Sequence, residues 1–163
     1  SLNMSSELLV HPFEPLYDEN SEVLILGSFP SVVSRQQNFY YANSHNRFWP
    51  LMGMLFEEEI TDREEFCHRH HIALWDVIYS CRIKGSSDSS IADVTVNDIA
   101  GLAEKTRIRA VFTTGAAASK LYQKYVDCSL PHYGLPSTSP ANAAMRISDL
   151  YEKYRVIREV LDE

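Results

Sequence analysis

Short apolar runs alternate with amphipathic segments along most of the chain, which is the pattern of a layered α/β fold. A continuous apolar run at 23–26 and mostly apolar segments at 72–78 and 110–113 predict strands. Helices are predicted between and after these runs, at 47–56, 62–70, 96–105, 115–125 and 146–161. Strands that alternate with helices indicate an α/β layer with a mainly parallel sheet.

The remaining segments are polar and predict connections. Residues 7–22 are a Pro-containing lead-in, 79–94 is loop-like around KGSSDSS, and 131–140 holds a short extended piece before a Pro/Ser/Thr loop. In a parallel sheet the loops after the strands lie at one edge, where ligands bind in open α/β folds. We therefore expect the segments 27–46, 76–93, 113–116 and 136–142 to meet there.

Length and composition set limits on the class of protein. The chain has 163 residues, of which 45% are hydrophobic, enough for one domain over 1–163 with a full core. Residues 1–20 form a lead-in, and Ser1 to Asn3, ahead of Met4, can be a remnant of recombinant expression. No run approaches the roughly 20 apolar residues of a membrane span, and no secretion leader is visible. Three cysteines without a CxxC pair predict reduced thiols in a cytoplasmic protein.

The net charge of −7 argues at first against nucleic acid as a partner. The distribution weakens that argument. No acid occurs between Glu22 and Glu57, and residues 105–148 carry six basic residues against the single acid Asp127. One neutral-to-basic face on an acidic protein is therefore expected.

The stretch 24–49 carries the richest candidate chemistry. Gly27 permits a tight turn and Pro30 stiffens the chain after it. Tyr40 or Tyr41 can stack on a nucleobase, and Asn43 and Asn46 offer amide edges. The set suits a planar heterocycle attached to a phosphate. The alternative is that the aromatics are core residues and that the two Asn residues cap the helix that starts near Arg47.

Weaker candidates lie elsewhere on the same edge. Asp76, at the end of the second strand, can poise a water or cap a loop, and the polar residues 82–88 are expected to form a wall beside it. The hydroxyls of Ser137, Thr138 and Ser139 can donate to phosphates, or can belong to an ordinary Ser/Pro turn. The histidines at 68, 70 and 71 do not form a metal-binding motif, so no metal is expected.

Three motifs resemble the uracil-DNA glycosylase superfamily. Gly27-Ser28-Phe29-Pro30-Ser31 sits where mismatch-specific enzymes carry Gly-x-Asn-Pro-Gly, and Asn46-Arg47-Phe48-Trp49 has their Asn-Arg-Phe-Trp spacing. Leu135–Pro140 falls where they carry a Pro-Asn-Pro-Ser loop. The chain most resembles the hypoxanthine (deoxyinosine) branch. The resemblance implies a three-layer α/β/α fold around a central, mainly parallel four-stranded sheet.

The resemblance also implies roles for individual residues. Phe29 replaces the catalytic Asn of the mismatch-specific enzymes, so Asn46, then Asn43, are the expected replacements, with Asp76 as a third catalytic candidate. Tyr41 falls on the base-stacking position. The other residues expected at the base are Gly27, Ser28, Phe29 and Tyr40. Those expected at the DNA backbone are Pro30, Ser31, Arg47, Ser137, Thr138, Ser139 and Asn142, and the small pair Ala141–Asn142 would make a weak wedge in the base stack.

The expected function is a monofunctional DNA glycosylase of base excision repair. It would hydrolyse the N-glycosidic bond of a flipped-out deaminated base, hypoxanthine first, without a metal or another cofactor. Three alternatives stay open: a uracil or mismatch-specific glycosylase, a non-catalytic DNA-binding relative, and a protein for a free nucleobase or nucleotide. The expected partner is DNA containing a deaminated base, with no membrane. The oligomeric state is open, and a monomer is one possibility.

Overall fold

The computed structural model describes residues 6–163. Within them, two sheets and six α-helices make up the fold. In chain order the elements are β1 (Glu7–Val10), β2 (Val23–Gly27), α1 (Val32–Gln37), α2 (Phe48–Phe56), α3 (Arg63–Arg69), β3 (Ile72–Asp76), β4 (Ile78–Ile83), β5 (Ala92–Val96), α4 (Ile99–Glu104), β6 (Ala110–Thr114), α5 (Ala116–Tyr125), β7 (His132–Leu135) and α6 (Ile147–Leu161). The expectation for Ser1 to Asn3 lies outside the described residues.

The central sheet has four parallel strands in the order β3-β2-β6-β7, which confirms the predicted sheet. Its middle strand β2 is buried along its whole length. A strand covered on both faces reads as a continuous apolar run rather than an alternating one. That is why the sequence pattern located β2, β3 and β6.

Helices cover both faces of this sheet, so the expected three layers are present. Val23 and Ile25 point to one side and pack with residues of α2, α3 and α6. Leu24 and Leu26 point to the other side and pack with residues of α4 and α5. The alternation of side chains along β2 thus divides the core into two clusters, one under each helical layer.

A second, antiparallel sheet was not expected from the sequence. It has the order β1-β4-β5 and uses residues from the predicted lead-in and from the predicted loop 79–94. The assignment of 79–94 as loop was therefore wrong for 79–83 and 92–94 and correct for the residues between them. Register shifts interrupt the pairing of β4 with β5, so the buried positions of β4 do not alternate strictly. β1 is an edge strand whose Leu8 and Val10 are exposed, and only Leu9 between them packs against a small cluster that contains Phe29.

The helices begin and end close to the predicted positions, with one addition. α1 lies inside the stretch expected to be a polar loop. The Ser31 hydroxyl caps it by accepting a hydrogen bond from the Ser34 N–H at 3.2 Å, and Asn38 ends it in the left-handed conformation. α4 starts at Ile99 rather than at residue 96, because Val96 ends β5 and Asp98 caps the helix. Among the described residues, every helix is too short or too polar to cross a membrane.

Candidate active site

A cavity of about 350 Å³ opens at the carboxyl ends of the parallel strands. The size is within the range of small-molecule sites, roughly 300–1,000 Å³. All of the predicted site residues except Arg47 and Asn142 line it. The segments after β2, β3 and β6 and the loop after β7 meet there, because parallel strands end at one edge.

Asn46 uses its side-chain oxygen twice. Oδ1 accepts hydrogen bonds from the Phe48 N–H at 2.9 Å and from the Thr138 hydroxyl at 2.8 Å. The first contact caps the start of α2, and the second ties α2 to the loop after β7. Because a backbone N–H can only donate, the engaged atom is the amide oxygen. The amide group of Asn46 therefore meets the cavity as a donor, through Nδ2.

Asn43 is arranged in a similar way. Its Oδ1 accepts a hydrogen bond from the His45 N–H at 2.9 Å, which closes a local Asx turn. The residue lines the same cavity as Asn46. Only Asn46 bonds the start of α2, as the capping alternative expected, whereas Asn43 closes a turn before the helix. The amide nitrogen of each residue has no hydrogen-bond partner within residues 6–163 and is available to a ligand.

Asp76 stands at the end of β3 and is 4% exposed. Its Oδ2 lies 2.7 Å from Nε2 of His11. Its Oδ1 lies above Gly27, and a Cβ on that glycine would come within 2.6 Å of it. Gly27 is therefore required for the close approach of the carboxylate, and no positive φ is involved at this position.

The two tyrosines of the aromatic run have different surroundings. The ring of Tyr41 stacks on Phe48, with 3.9 Å between centroids and 13° between planes. Burial raises the pKa of the Tyr41 phenol, which stays neutral beside the Thr114 hydroxyl at 3.3 Å. Tyr40 touches the cavity but is 3% exposed. Its hydroxyl donates to the Glu14 carbonyl, so Tyr40 is a core residue that forms part of the wall.

The turn after β2 supplies one side of the cavity. Phe29 is 8% exposed and packs edge-on against His11, with 5.9 Å between the ring centroids. The Pro30 carbonyl accepts a hydrogen bond from Arg35 at 2.7 Å, and the Ser31 hydroxyl is engaged as the cap of α1. This turn therefore has most of its polar groups satisfied, and Phe29 contributes an apolar surface.

Arg47 does not line the cavity but stabilises the loop after β7. Its guanidinium donates to the carbonyls of four loop residues, Thr138, Ser139, Asn142 and Met145. Asn142 is itself tied to the loop through a bond from Nδ2 to the Ser137 carbonyl. These contacts use Arg47 as a brace, which the sequence did not indicate.

The loop hydroxyls are not equivalent. Ser137 and Ser139 each accept a bond from a loop N–H through Oγ, so their hydroxyl protons remain available to a ligand. Thr138 is 2% exposed and donates its proton to Asn46. Of the three predicted phosphate donors, two are therefore free to donate and the third is a structural link.

Of the segment 82–88, which was expected to form a wall, only Ser86 and Asp88 line the cavity, and Asp88 brings a second carboxylate to it. Asp88 accepts a bond of 2.9 Å from the Ser28 hydroxyl. Burial raises the pKa of Asp88, and the negative charge of Asp76 raises it further, against the lowering effect of the Ser28 bond. Sequence reasoning named Asp88 only as part of a wall. The one acid among the serines of that loop was the available signal.

His11 was missed altogether. It lies 65 residues from Asp76 in the chain, in the segment regarded as a lead-in. No motif surrounds it, and only the pairing of β1 with β4 brings it to the site. Within residues 6–163 no group of three His, Cys, Asp or Glu side chains is arranged to hold a metal ion.

Comparisons with known proteins agree with this geometry. The profile of the "Uracil DNA glycosylase superfamily" matches residues 14–161, a range that contains the central sheet, all six helices and nearly all of the cavity. The chain belongs to the uracil DNA glycosylase superfamily. A member of this superfamily from Methanosarcina acetivorans, named "Hypoxanthine DNA glycosylase", is 35% identical over 136 residues, which cover 80% of this chain and 86% of the relative.

Two further relatives support the membership. A protein of the same name from Methanosarcina barkeri is 39% identical over 90 residues, which cover 52% of this chain and 57% of that one. The solution NMR structure of a uracil DNA glycosylase candidate from Methanosarcina acetivorans superposes with a TM-score of 0.74 at 32% identity, and covers 95% of this chain and 100% of that one. The likeness extends over the whole superfamily fold.

Proposed function

We propose that the protein is a monofunctional DNA glycosylase that hydrolyses the N-glycosidic bond of hypoxanthine in DNA, as the first step of base excision repair. One observation carries the proposal. A chain 35% identical over most of its length to a protein named "Hypoxanthine DNA glycosylase" places an aromatic face, free amide donors and the carboxylates of Asp76 and Asp88 around one cavity.

The base would be held by stacking and by its hydrogen-bonding edge. A base inside a duplex is out of reach, so the nucleotide is flipped into the cavity, at a cost of a few kcal/mol that is least for mispaired bases. Phe48 covers one face of Tyr41, and Tyr41 lines the cavity, so its ring is placed to stack on the base. Stacking of this kind contributes ~1–3 kcal/mol per base.

Bond cleavage leaves negative charge on the departing base and positive charge on the sugar. Hydrogen-bond donors aimed at the base stabilise the negative charge on the departing base. The amide nitrogens of Asn46 and Asn43 supply such donors, since the oxygens of both amides are already engaged. Backbone N–H groups near Ser28 and Phe29 are further candidates. We assign Asn46 the leading role because it is braced from two sides.

The attacking water needs an acceptor, which Phe29 cannot provide. Two carboxylates, Asp76 and Asp88, line the cavity, so one of them can accept a proton from water or hold the water in place while the other contacts the base. The absence of an amide at position 29 is therefore compatible with hydrolysis. No covalent Lys intermediate, metal or other cofactor is part of the proposed reaction.

The loop after β7 would contact the DNA backbone. Ser137 and Ser139 have hydroxyl protons to donate to phosphates, and Arg47 keeps the loop in shape from behind. Ala141 at the tip is small and exposed, so it fills a vacated base stack poorly. A weak wedge favours bases whose pairing is already loose, such as hypoxanthine in a mismatch. We place this activity on DNA in the cytoplasm.

The proposal is tested with duplexes that differ in one base. Purified protein is incubated with DNA carrying hypoxanthine, uracil or xanthine, in single- and double-stranded form, and abasic sites are revealed by alkali. Hypoxanthine is expected to be released fastest. Glu152→Gln, which changes an exposed residue of α6, serves as the matched control with wild-type rates.

Other outcomes of this experiment would revise or overturn the proposal. Faster release of uracil would reassign the substrate within the superfamily. Salt-dependent binding without release would indicate a non-catalytic relative. Binding of free hypoxanthine without any affinity for DNA would point to a nucleobase-binding protein. If the protein neither binds these duplexes nor releases a base from them, the proposal is overturned.

A further inference from the structure

We propose that His11 is a positioning residue that keeps Asp76 as a hydrogen-bond acceptor for the ring N–H that deamination creates on a base. The inference rests on the proposed function and concerns how the same cavity would select its substrate. It follows from where the protons of the His11–Asp76 pair must lie.

The contacts of His11 fix which ring nitrogen carries a proton. Nδ1 lies 2.8 Å from the Phe13 carbonyl oxygen, which can only accept. Nδ1 therefore carries a proton. Nε2 lies 2.7 Å from Oδ2 of Asp76, and its ring is 2% exposed, with little room for competing water.

The second step is the shared proton. A short contact between Nε2 and Oδ2 requires one proton between the two atoms. That proton is either on nitrogen, which gives an imidazolium and a carboxylate, or on Oδ2, which gives a neutral imidazole and a carboxylic acid. In both forms the other oxygen, Oδ1, carries no proton. His11 thus fixes Oδ1 of Asp76 as an acceptor.

The third step is the position of that acceptor. Oδ1 lies above Gly27, at the floor of the cavity, and accepts no hydrogen bond from residues 6–163. Three rings, of Phe13, Phe29 and Tyr40, pack around the imidazole and leave it little freedom to turn. The cavity therefore presents one rigid, unused acceptor next to the place where Tyr41 would stack on a base.

The fourth step is the chemistry of deamination. Adenine has a bare N1 and an amino group at C6, whereas hypoxanthine has N1–H and C6=O. Cytosine and uracil differ in the same way at N3 and C4. A protein acceptor that faces this ring nitrogen accepts a hydrogen bond from the N–H of the deaminated base. On the normal base it faces the lone pair of the bare nitrogen and is repelled. Free amide donors such as Nδ2 of Asn46 suit the new carbonyl.

Without His11 this selectivity would be lost. Without the donor at Oδ2, the Asp76 carboxyl can turn about its Cβ–Cγ bond, and Oδ1 is no longer fixed as the acceptor that faces the cavity. The prediction concerns the discrimination between bases and not only the overall rate.

The test uses two variants that each replace one nitrogen of the ring. In His11→Gln the amide nitrogen can reach the position of Nε2 and donate to Asp76. In His11→Asn it can reach only the position of Nδ1 and donate to the Phe13 carbonyl. A role in packing alone would affect both variants alike. Their thermal unfolding is compared with that of the wild type to confirm that each variant folds.

The readout is binding to duplexes that carry 2′-fluoro-2′-deoxyinosine or 2′-fluoro-2′-deoxyadenosine, whose N-glycosidic bonds resist hydrolysis. The wild type should prefer the inosine duplex roughly 10- to 100-fold, the fold-change of one hydrogen bond to a charged group. His11→Gln should retain that ratio, and His11→Asn should bring it close to one. If the two variants show the same preference for the inosine duplex, whether that preference is the wild-type one or is lost, the proposed role of His11 is wrong.

Two further results separate the possible failures. If the wild type releases hypoxanthine but binds both duplexes equally, the inference is wrong and the proposed function stands. If the wild type neither binds the two duplexes nor releases hypoxanthine, the proposed function is wrong, and the inference about His11 is wrong with it. The wild type can also be examined directly by ¹⁵N NMR of the His11 ring. We expect a protonated Nδ1 and a strongly deshielded proton between Nε2 and Oδ2 of Asp76, and a bare Nδ1 would contradict the proton assignment.

Discussion

The side-chain oxygen of Asn46 accepts a hydrogen bond of 2.8 Å from the Thr138 hydroxyl, and this contact joins the two loops that form the site. The same oxygen also accepts the Phe48 N–H at 2.9 Å. Both lone pairs of Oδ1 are thereby used. Any contact that Asn46 makes to a base must come from its amide nitrogen, so the residue is expected to act as a donor.

Asn46→Asp separates the two roles of this residue. The carboxylate keeps both acceptor contacts but offers no donor to the base. We expect the helix cap and the melting temperature to be retained while single-turnover excision falls by roughly 100-fold or more, as for removal of one preorganised donor. The measurement is the rate of abasic-site formation in excess enzyme.

Asn46→Ala provides the comparison. It removes the cap as well as the donor, so it should lose a similar factor in rate and also about 1 kcal/mol of unfolding free energy. If Asn46→Asp excises at the wild-type rate, the donor role is wrong and Asn46 is only a structural link.

Tyr41 is expected to act through its ring rather than its hydroxyl. Tyr41→Phe keeps the stack on Phe48 and should keep most of the activity, whereas Tyr41→Leu should bind flipped-base DNA about 10- to 100-fold more weakly. Both replacements are unbranched at Cβ, so the strain of the positive φ at this position is similar in each. Equal binding by the two variants would argue against stacking.

Gly27→Ala should damage the site without changing the fold. The added Cβ would lie 2.6 Å from Oδ1 of Asp76, so the carboxylate must move. Excision should fall while the circular dichroism spectrum stays that of the wild type. Gly85→Ala is a useful counterpart, because a Cβ there meets nothing within 4 Å although φ is +60°, and its activity should change little.

An ion cluster on the opposite end of the sheet gives a prediction about acid stability. The Arg69 guanidinium and His70 bind the Glu58 carboxylate and hold its pKa at about 2, below the ordinary 4.5. A lowered pKa in the folded state stabilises the fold above the unfolded value, and the contribution is lost as the pH falls from about 4.5 towards 2. Glu58→Gln should therefore flatten the dependence of unfolding free energy on pH in this window.

Denaturant unfolding at several pH values measures this dependence. Because the three side chains are partly exposed to solvent, the change should shrink as salt is added. An unchanged slope in Glu58→Gln would show that the cluster does not contribute to stability.

Hydrophobic periodicity was enough to predict three of the four strands of the central sheet and five of the helices. β2, β3 and β6 are buried on both faces, and each therefore begins with a run of apolar residues. The second sheet gave no such signal, because β1 exposes Leu8 and Val10 and β4 is irregular where it pairs with β5. A strand that faces solvent or contains a bulge loses the alternation on which prediction depends.

The same limit applies to the candidate site. Residues after the ends of the parallel strands were located because the topology brings those ends together. His11 reaches the cavity only through the unpredicted pairing of β1 with β4, so its contact with Asp76 had no local signature. The role of Arg47 as a brace was hidden for a related reason, since its partners lie more than ninety residues away and are backbone carbonyls.

The central claim is that this cavity releases hypoxanthine from DNA. The most direct measurement is mass-spectrometric detection of the free base after incubation of the wild type with a duplex containing one deoxyinosine, with Asn46→Asp run in parallel. We predict hypoxanthine and abasic sites in equal amounts from the wild type and much slower release from the variant. Intact deoxyinosine after prolonged incubation with excess folded wild-type protein would contradict the account.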